Sequence, residues 1–489
     1  MPPPIALSKT RLLSYLQCPR KLWLEQYSPE LEDEDAIDWA AIETGNVVGE
    51  MARGLYGAKG GHRISNDRGL RAAVADTASL IEAGGSEPLF EATFDHDGVT
   101  VQVDVLDRSG AGPAIVEVKS ATRVKDHYLH DCAIQAWTLT GCGLSPERIA
   151  VAHIDSSFTY RGDGDYRGLL TETDVTADVR ELVPGVESIV EATRTVLDAL
   201  DEPENPPGPQ CTSPYRCPFF DHCAPTQGQY PVTGLGGGRE SLLALMNEGF
   251  ADLRDVPEDR LATDTQRRIH SVTQSGTPAA DPELGELARS LPYPRYYLDF
   301  ETIAFAVPIW ADTRPYEALP FQWSCHIESA PGTLAERTFL DLSGEPPMRA
   351  CAEALIAVLG DNGPVIVYTG YEKRVLAGLA ERFPDLAAAL GAIESRLVDL
   401  HPPTKAHYYH PDMLGSWSIK AVLPTVAPDL DYAALGDVRD GQAAQTAYLE
   451  AIRPDTAASR RDALEAALTE YCRYDTLALV RLVEFFSRC

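Results

Sequence analysis

Apolar and polar residues alternate with a period of two along LFEATF (residues 89–94), VTVQVDVL (99–106) and AIVEVKS (114–120), so each is expected to be a strand with one buried face. In VTVQVDVL the pattern sets Val101, Val103 and Val105 on one side, with Gln102 and Asp104 on the other. In AIVEVKS it sets Glu117 and Lys119 on one face, and the intervening RSGAGP reads as the turn of a hairpin. A helical period follows in DCAIQAWTL, which carries Gln135. The same signals recur near the C-terminus. YYLDFETIAF is an apolar strand with Asp299 and Glu301 two residues apart, and GPVIVYTGYEKRVLAGLAERF is a buried strand running into a helix, with Glu372 at the junction. SRLVDLHP ends a strand at Asp399, and EYCRYDTLALVRL is an amphipathic helix with Tyr471 and Asp475 four apart on one face.

These elements fall into three sections: 1–228, which opens with a helix capped by Ser8; a helical connector, 229–290, entered through the Gly-rich break TGLGGGRE; and 291–489. With 489 residues, several cores are expected, and the fold class is α/β multidomain. A net charge of −31 argues against a protein that grips phosphates over its whole surface, so any nucleic-acid contact must use local basic patches or bound cations. The N-terminus lacks an apolar signal core, and no run approaches the ~18 apolar residues of a membrane span. A soluble, cytoplasmic protein without a membrane partner is expected.

Ten cysteines in that compartment point to thiols and metal ligands rather than to disulfides. Six are scattered, but Cys211, Cys217 and Cys223 form a trio in CTSPYRCPFFDHC, preceded by the Pro-rich loop DEPENPPGPQ, which lets the chain return towards Cys18 in YLQCPRKLWL. A distant first ligand plus a clustered trio suits a metal clasp joining the two ends of one domain. Within it, a hairpin that unites Asp104, Glu117 and Lys119 offers two carboxylates for Mg²⁺ or Mn²⁺ and a lysine to orient water or offset phosphate charge. Glu91 is placed to join from the neighbouring strand and Gln135 to brace the nucleophile. An edge hairpin with solvated charges is the competing reading.

Section one resembles the RecB-like PD-(D/E)XK nucleases with an iron–sulfur clasp, a group that includes the CRISPR-adaptation nucleases and the AddB subunit. That resemblance implies a restriction-endonuclease-like fold and a [4Fe-4S] cluster on Cys18, Cys211, Cys217 and Cys223; four thiolates also suit structural Zn²⁺. Two features depart from the family. Five residues fill both gaps of the trio, where two are usual in the first, and Gly49, beside Glu50, stands about where many relatives have a metal-binding His. The connector segment SLLALMNEGFADLRDVPEDRL resembles half of a helix-hairpin-helix DNA-backbone module; a plain helical linker is the alternative.

Section three, with its D-x-E strand, junction acid and late Tyr-x3-Asp helix, is similar to the DnaQ-like DEDD 3′–5′ exonucleases. An RNase H-like domain with a mixed central sheet flanked by helices is implied. So are metal ligands at Asp299, Glu301 and Asp475, and a water-orienting Tyr471. Glu372 stands where the family has Asp, with Asp399 as the fallback. Lys420, Trp323 and Trp417 are candidates for a strand groove or, for the tryptophans, the core; Tyr408, Tyr409 and His410 read as a surface loop. The expectation is a metal-dependent DNA nuclease, exonucleolytic on single-stranded ends. The rivals are a nucleic-acid-binding or scaffold protein with one or both centres inactive, and an RNA exonuclease.

Overall fold

The computed structural model describes residues 6–224, 228–430, 432, 435–436 and 438–489. It is an α/β structure of two compact units, Met1–Ala224 with Phe305–Tyr316, and Pro225–Ala304 with Glu317–Cys489. The connector therefore belongs to the second unit. Phe305–Tyr316, which follows the D-x-E strand in sequence, belongs to the first, where Ala306 and Val307 pack with Val48, Ile154 and Leu169.

The first unit is built on strands β1 (Leu7–Ser8), β2 (His62–Arg63), β3 (Leu89–His96), β4 (Val99–Asp107), β5 (Ala114–Lys119), β6 (Arg148–Ile154) and β7 (Leu170–Asp174). They pair in the order β2-β3-β4-β5-β6-β7, with β1 added beside β4. Asp97 and Gly98, both at positive φ, close the β3–β4 hairpin, as a two-residue turn that matches strand twist requires. β5 and β6 are parallel, so the chain crosses between them through the helix Asp126–Gly141. That helix is buried over most of its surface because it packs on β3 and β4 in the main core with Val101, Val103 and Ile115.

Simple alternation fails at one place. Ala92 and Val103 belong to the main core, whereas Phe90 and Val105 pack with Val116 and Ala152 in a second cluster. Both strands therefore switch faces at Glu91 and Asp104, and Val105 does not share the side of Val101 and Val103 as the pattern suggested. The cause is the backbone of Glu91, at φ 56° inside a strand. A non-glycine residue held there stores strain that packing must offset, a feature that clusters at functional sites.

The second unit holds β8 (Ala279–Ala280), β9 (Arg295–Ile303), β10 (Leu319–Ala330), β11 (Thr333–Leu340), β12 (Val365–Val367), β13 (Leu397–Asp399) and β14 (Tyr408–Tyr409). Five of them form a mixed sheet, β11-β10-β9-β12-β13, antiparallel through β9–β11 and parallel from β9 to β13; β8 and β14 pair separately. Tyr408 and Tyr409 are thus buried strand residues, not a surface loop, and the Tyr408 hydroxyl donates to Thr425 Oγ1 at 2.9 Å. The 29-residue helix Ala458–Phe486 packs on β9 and β10. A buried polar seam sets its position: Gln322 Nε2 donates to the Leu468 carbonyl at 2.8 Å, and Thr476 Oγ1 lies 3.0 Å from Ser324 Oγ and 2.8 Å from His326 Nδ1. Ser324 is the cross-strand partner of Asp299, so the seam aligns Asp475, the neighbour of Thr476, with the D-x-E strand.

Candidate functional site

Two acidic centres and one thiol cluster stand out, and each is held by its own elements. In the first unit the register Val105↔Val116 leads directly to Asp104 and Glu117. Asp104 Oδ2 accepts the Val118 N–H at 2.7 Å. Glu117 is buried and receives Lys119 Nζ at 2.6 Å and Gln135 Nε2 at 2.6 Å. Three of the expected residues therefore meet around Glu117, with Asp104 alongside. Asp131, one turn before Gln135, completes the network: its two oxygens take Lys9 Nζ at 2.7 Å and Lys119 Nζ at 2.8 Å. Lys9 Nζ also lies 3.3 Å from Glu117 Oε1.

Burial, then Asp104 and Asp131, pushes Glu117 up to about 7, and burial raises Asp104 too. Burial acts the same way on Asp131, yet Lys9 and Lys119 outweigh it and hold that carboxyl below the usual range. Lys9 and Lys119 are desolvated but keep their protons through Asp131 and Glu117. Gln135 Oε1 is buried without a hydrogen-bond partner, an acceptor left for something the protein does not supply.

Glu91 sits apart from this network. Arg53, on the helix Trp39–Tyr56, donates to it through Nη1 at 2.7 Å and pairs through Nη2 with Glu50 of the same helix. A Cβ at Gly49 would meet only Arg53 Nη1, at 3.8 Å. Gly49 thus faces the Arg53 guanidinium, in a cavity of about 470 Å³ lined by Asn46, Arg63, Glu91 and Asp104 among others.

The helix Lys9–Gln17 ends at Cys18. Cys18, Cys211 and Cys217 are buried, Cys223 is half-buried, and none of the four is in a disulfide. Cys211, Cys217 and Cys223 pack in one cluster with Leu24 and Phe219. Cys217 and Cys223 each feel the charge of Cys18, and burial pushes the Cys223 thiol up to about 11. Asn205 Nδ2 points at Cys18 Sγ at 3.0 Å and the Gly208 N–H at Cys211 Sγ at 3.4 Å. Donors aimed at sulfur suit thiolates that carry charge, as in cluster or zinc ligation.

In the second unit Asp299, Glu301 and Asp475 offer oxygens that all lie within 4.8 Å of one another. That spacing suits one hard cation ringed by oxygens. Glu372, in the first turn of the helix Tyr371–Arg382, is 3 % exposed and its Oε2 has no hydrogen-bond partner. Burial, then Asp475, raises Asp299 well above its ordinary value and Glu301 to about 8; burial first also takes Glu372 to about 8 and Asp475 to about 6. Four such acids in one buried place repel one another and call for a counter-charge.

Tyr471 lies in this centre, as expected, and bonds Asp475. Tyr432 adds a second hydroxyl that donates to Asp475 Oδ1. Lys420 Nζ lies 5.4 Å from both tyrosine ring centroids and donates to the Arg439 carbonyl at 2.8 Å. Asp399 is occupied differently: its Oδ1 accepts the N–H groups of Thr369 and His401, both at 2.8 Å. Trp323 and Trp417 are core residues whose indole N–H groups reach the Cys351 and Tyr408 carbonyls.

Lys9, Asp131, Arg53 and Tyr432 were not foreseen. Asp131 had a signal, its i, i+4 spacing from Gln135; the others reach their sites only through the fold.

Residues 296–418 match the model of a family described as a domain of unknown function (DUF2779), a span that includes Asp299, Glu301, Glu372 and Asp399 and ends before Tyr471. No curated protein matches the chain. A solved structure described as "Crystal structure of SSO0001" is similar over 45% of this chain and 85% of its own, at 14% identity and a TM-score of 0.25.

Proposed function

We propose that the protein is a metal-dependent nuclease that hydrolyses phosphodiester bonds, with DNA ends as the substrate class. The observation that carries this reading is the buried acid cluster of Asp299, Glu301 and Asp475, with the orphaned Glu372 oxygen beside it. The mixed sheet with helices packed on it supports an RNase H-like domain, and the Asp104, Glu117, Lys119 and Gln135 constellation supports a second, PD-(D/E)XK-type centre. Mg²⁺ or Mn²⁺ fits the oxygen donor set of Asp299, Glu301 and Asp475, and such an ion would supply Lewis-acid activation of water and phosphate.

The chain's own residues do the rest. Asp299, Glu301 and Asp475 would hold the ion, and the Tyr471 hydroxyl is placed to orient the attacking water. Lys420 offsets negative charge at the rim of the cluster. In the first unit Asp104 and Glu117 would be the ligands, Gln135 Oε1 is the spare acceptor, and the third donor of Lys119 would serve water or a phosphate oxygen. A [4Fe-4S] cluster, or Zn²⁺ in its place, would be held by Cys18, Cys211, Cys217 and Cys223 and would tie the N-terminal helix to the end of the unit.

A second reading, that the first centre has lapsed and that unit only binds nucleic acid, is favoured by Gly49 and by the Arg53–Glu91 pair beside it. End-labelled single- and double-stranded DNA and RNA, incubated in Mn²⁺ with the wild type, Asp299→Ala, Lys119→Ala and the double variant, separate the readings. Loss only in the double variant establishes two working centres; loss in Asp299→Ala alone leaves the first as a binding unit. A wild type that cuts neither polymer refutes the proposal.

A further inference from the structure

The PD-(D/E)XK pattern accounts for one lysine, yet the first centre contains two. Lys9 and Lys119 divide the same pair of carboxylates: Asp131 through Oδ1 at 2.7 Å and Oδ2 at 2.8 Å, and Glu117 through Oε1 at 3.3 and 2.6 Å. Both ammonium groups are largely covered, at 19 % and 22 % side-chain exposure. Lys9 is also the first residue of its helix, where the helix dipole disfavours a cation, so the carboxylates rather than local preference explain it.

The far end of that helix is anchored as firmly. Its nine residues end at Cys18, and Gln17 Nε2 donates to the carbonyls of Gln210 and Tyr215, both at 2.8 Å, on either side of Cys211. A rod of about 13 Å thus connects the thiol cluster to the acid centre. Tyr215 makes a second connection, its hydroxyl 3.1 Å from His127 Nε2 on the helix that carries Asp131 and Gln135.

We infer that Lys9 is a positioning residue of the first centre: it neutralises Asp131 from the clasp helix and so leaves Lys119 available to water or a phosphate oxygen. The inference rests on the nuclease reading of this centre. An ammonium has three donors, and Lys119 already spends two, on Glu117 and Asp131. With Lys9 in place, Asp131 has a partner of its own. Without it, Asp131 Oδ1 loses its ammonium partner and draws the third donor of Lys119, the one otherwise left for substrate.

The test uses the full chain with Asp299→Ala, which breaks the second acid cluster, and compares Lys9→Met, Lys9→Arg and Lys9→Met/Asp131→Asn. Lys9→Met should lower kcat on labelled single-stranded DNA roughly 10–100-fold with KM nearly unchanged. It should also bind Mn²⁺ several-fold more tightly, because a cation beside Glu117 is gone. Slower turnover with tighter metal is a combination that mere loss of structure does not produce. Lys9→Arg should retain most activity, Asp131→Asn should restore kcat to the Met variant, and visible absorbance of the clasp should not change. An unchanged kcat, or Mn²⁺ binding weakened along with melting temperature and no rescue by Asp131→Asn, overturns the inference. If the Asp299→Ala parent shows no Lys119-dependent cleavage, the nuclease reading of this centre fails; the Mn²⁺ titration then decides Lys9, and unchanged or weaker binding rejects it.

Discussion

Glu301→Gln should make the metal-free second unit more stable at alkaline pH while removing that unit's response to Mn²⁺. Glu301 is 8 % exposed, and burial together with Asp475 raises it from 4.5 to about 8. The sign follows from linkage. Between those values the folded state holds a proton that the unfolded state has released, so stability is full below pH ~4.5 and falls as pH rises through ~8. At pH 7 the cost is about 3 kcal/mol, and above pH 8.5 about 5 kcal/mol, if Glu301 alone is counted. Glutamine keeps the shape and removes the ionisation. For a unit of about 250 residues, each kcal/mol moves the melting temperature by roughly 2–4 °C, so a rise of roughly 6–12 °C is expected at pH 7. Differential scanning calorimetry in EDTA at pH 5, 7 and 8.5 reads this directly, with a difference that grows with pH. Added Mn²⁺ should raise the wild-type transition of the second unit and leave that of the variant nearly unmoved. A variant that melts at or below the wild type at pH 8.5 in EDTA would refute the picture of a repulsive acid cluster built for a cation.

Tyr471→Phe should slow hydrolysis by roughly 10–10²-fold while leaving the Mn²⁺-induced rise in melting temperature in place, because the hydroxyl orients water and the carboxylates bind metal. Asp399→Ala should cost about 1–3 kcal/mol in urea unfolding by orphaning the Thr369 and His401 N–H groups, yet keep the Mn²⁺ response. Cys217→Ser should abolish the brown colour of anaerobically purified protein and lower the stability of the first unit; colourless wild type carrying one zinc per chain would replace iron–sulfur with zinc and spare the fold. Trp323→Ala should destabilise by about 3–5 kcal/mol in calorimetry, since its ring is core and not a strand-stacking surface.

Much of the architecture was legible because it rests on local periodicity. The alternation in β4 and β5 and the apolar run of β9 predicted strands carrying Asp104, Glu117 and Asp299, and the four-residue spacing of Tyr471 and Asp475 set both on one helix face. Residue types at those positions carry the proposed chemistry, acids for a hard cation and thiols for a soft one.

What the chain alone determined is therefore the set of strands and helices that carry Asp104, Glu117, Asp299, Tyr471 and Asp475, since local periodicity follows from backbone geometry. Tertiary structure decided the company each group keeps. It bent β3 at Glu91 and moved Val105 to another core, gave Asp399 to backbone donors, buried Tyr408 and Tyr409 in a strand, and brought Lys9 across 108 positions to Glu117. Such pairings depend on how helices settle on sheets, and that is set by packing and desolvation summed over many distant residues, which no local pattern encodes.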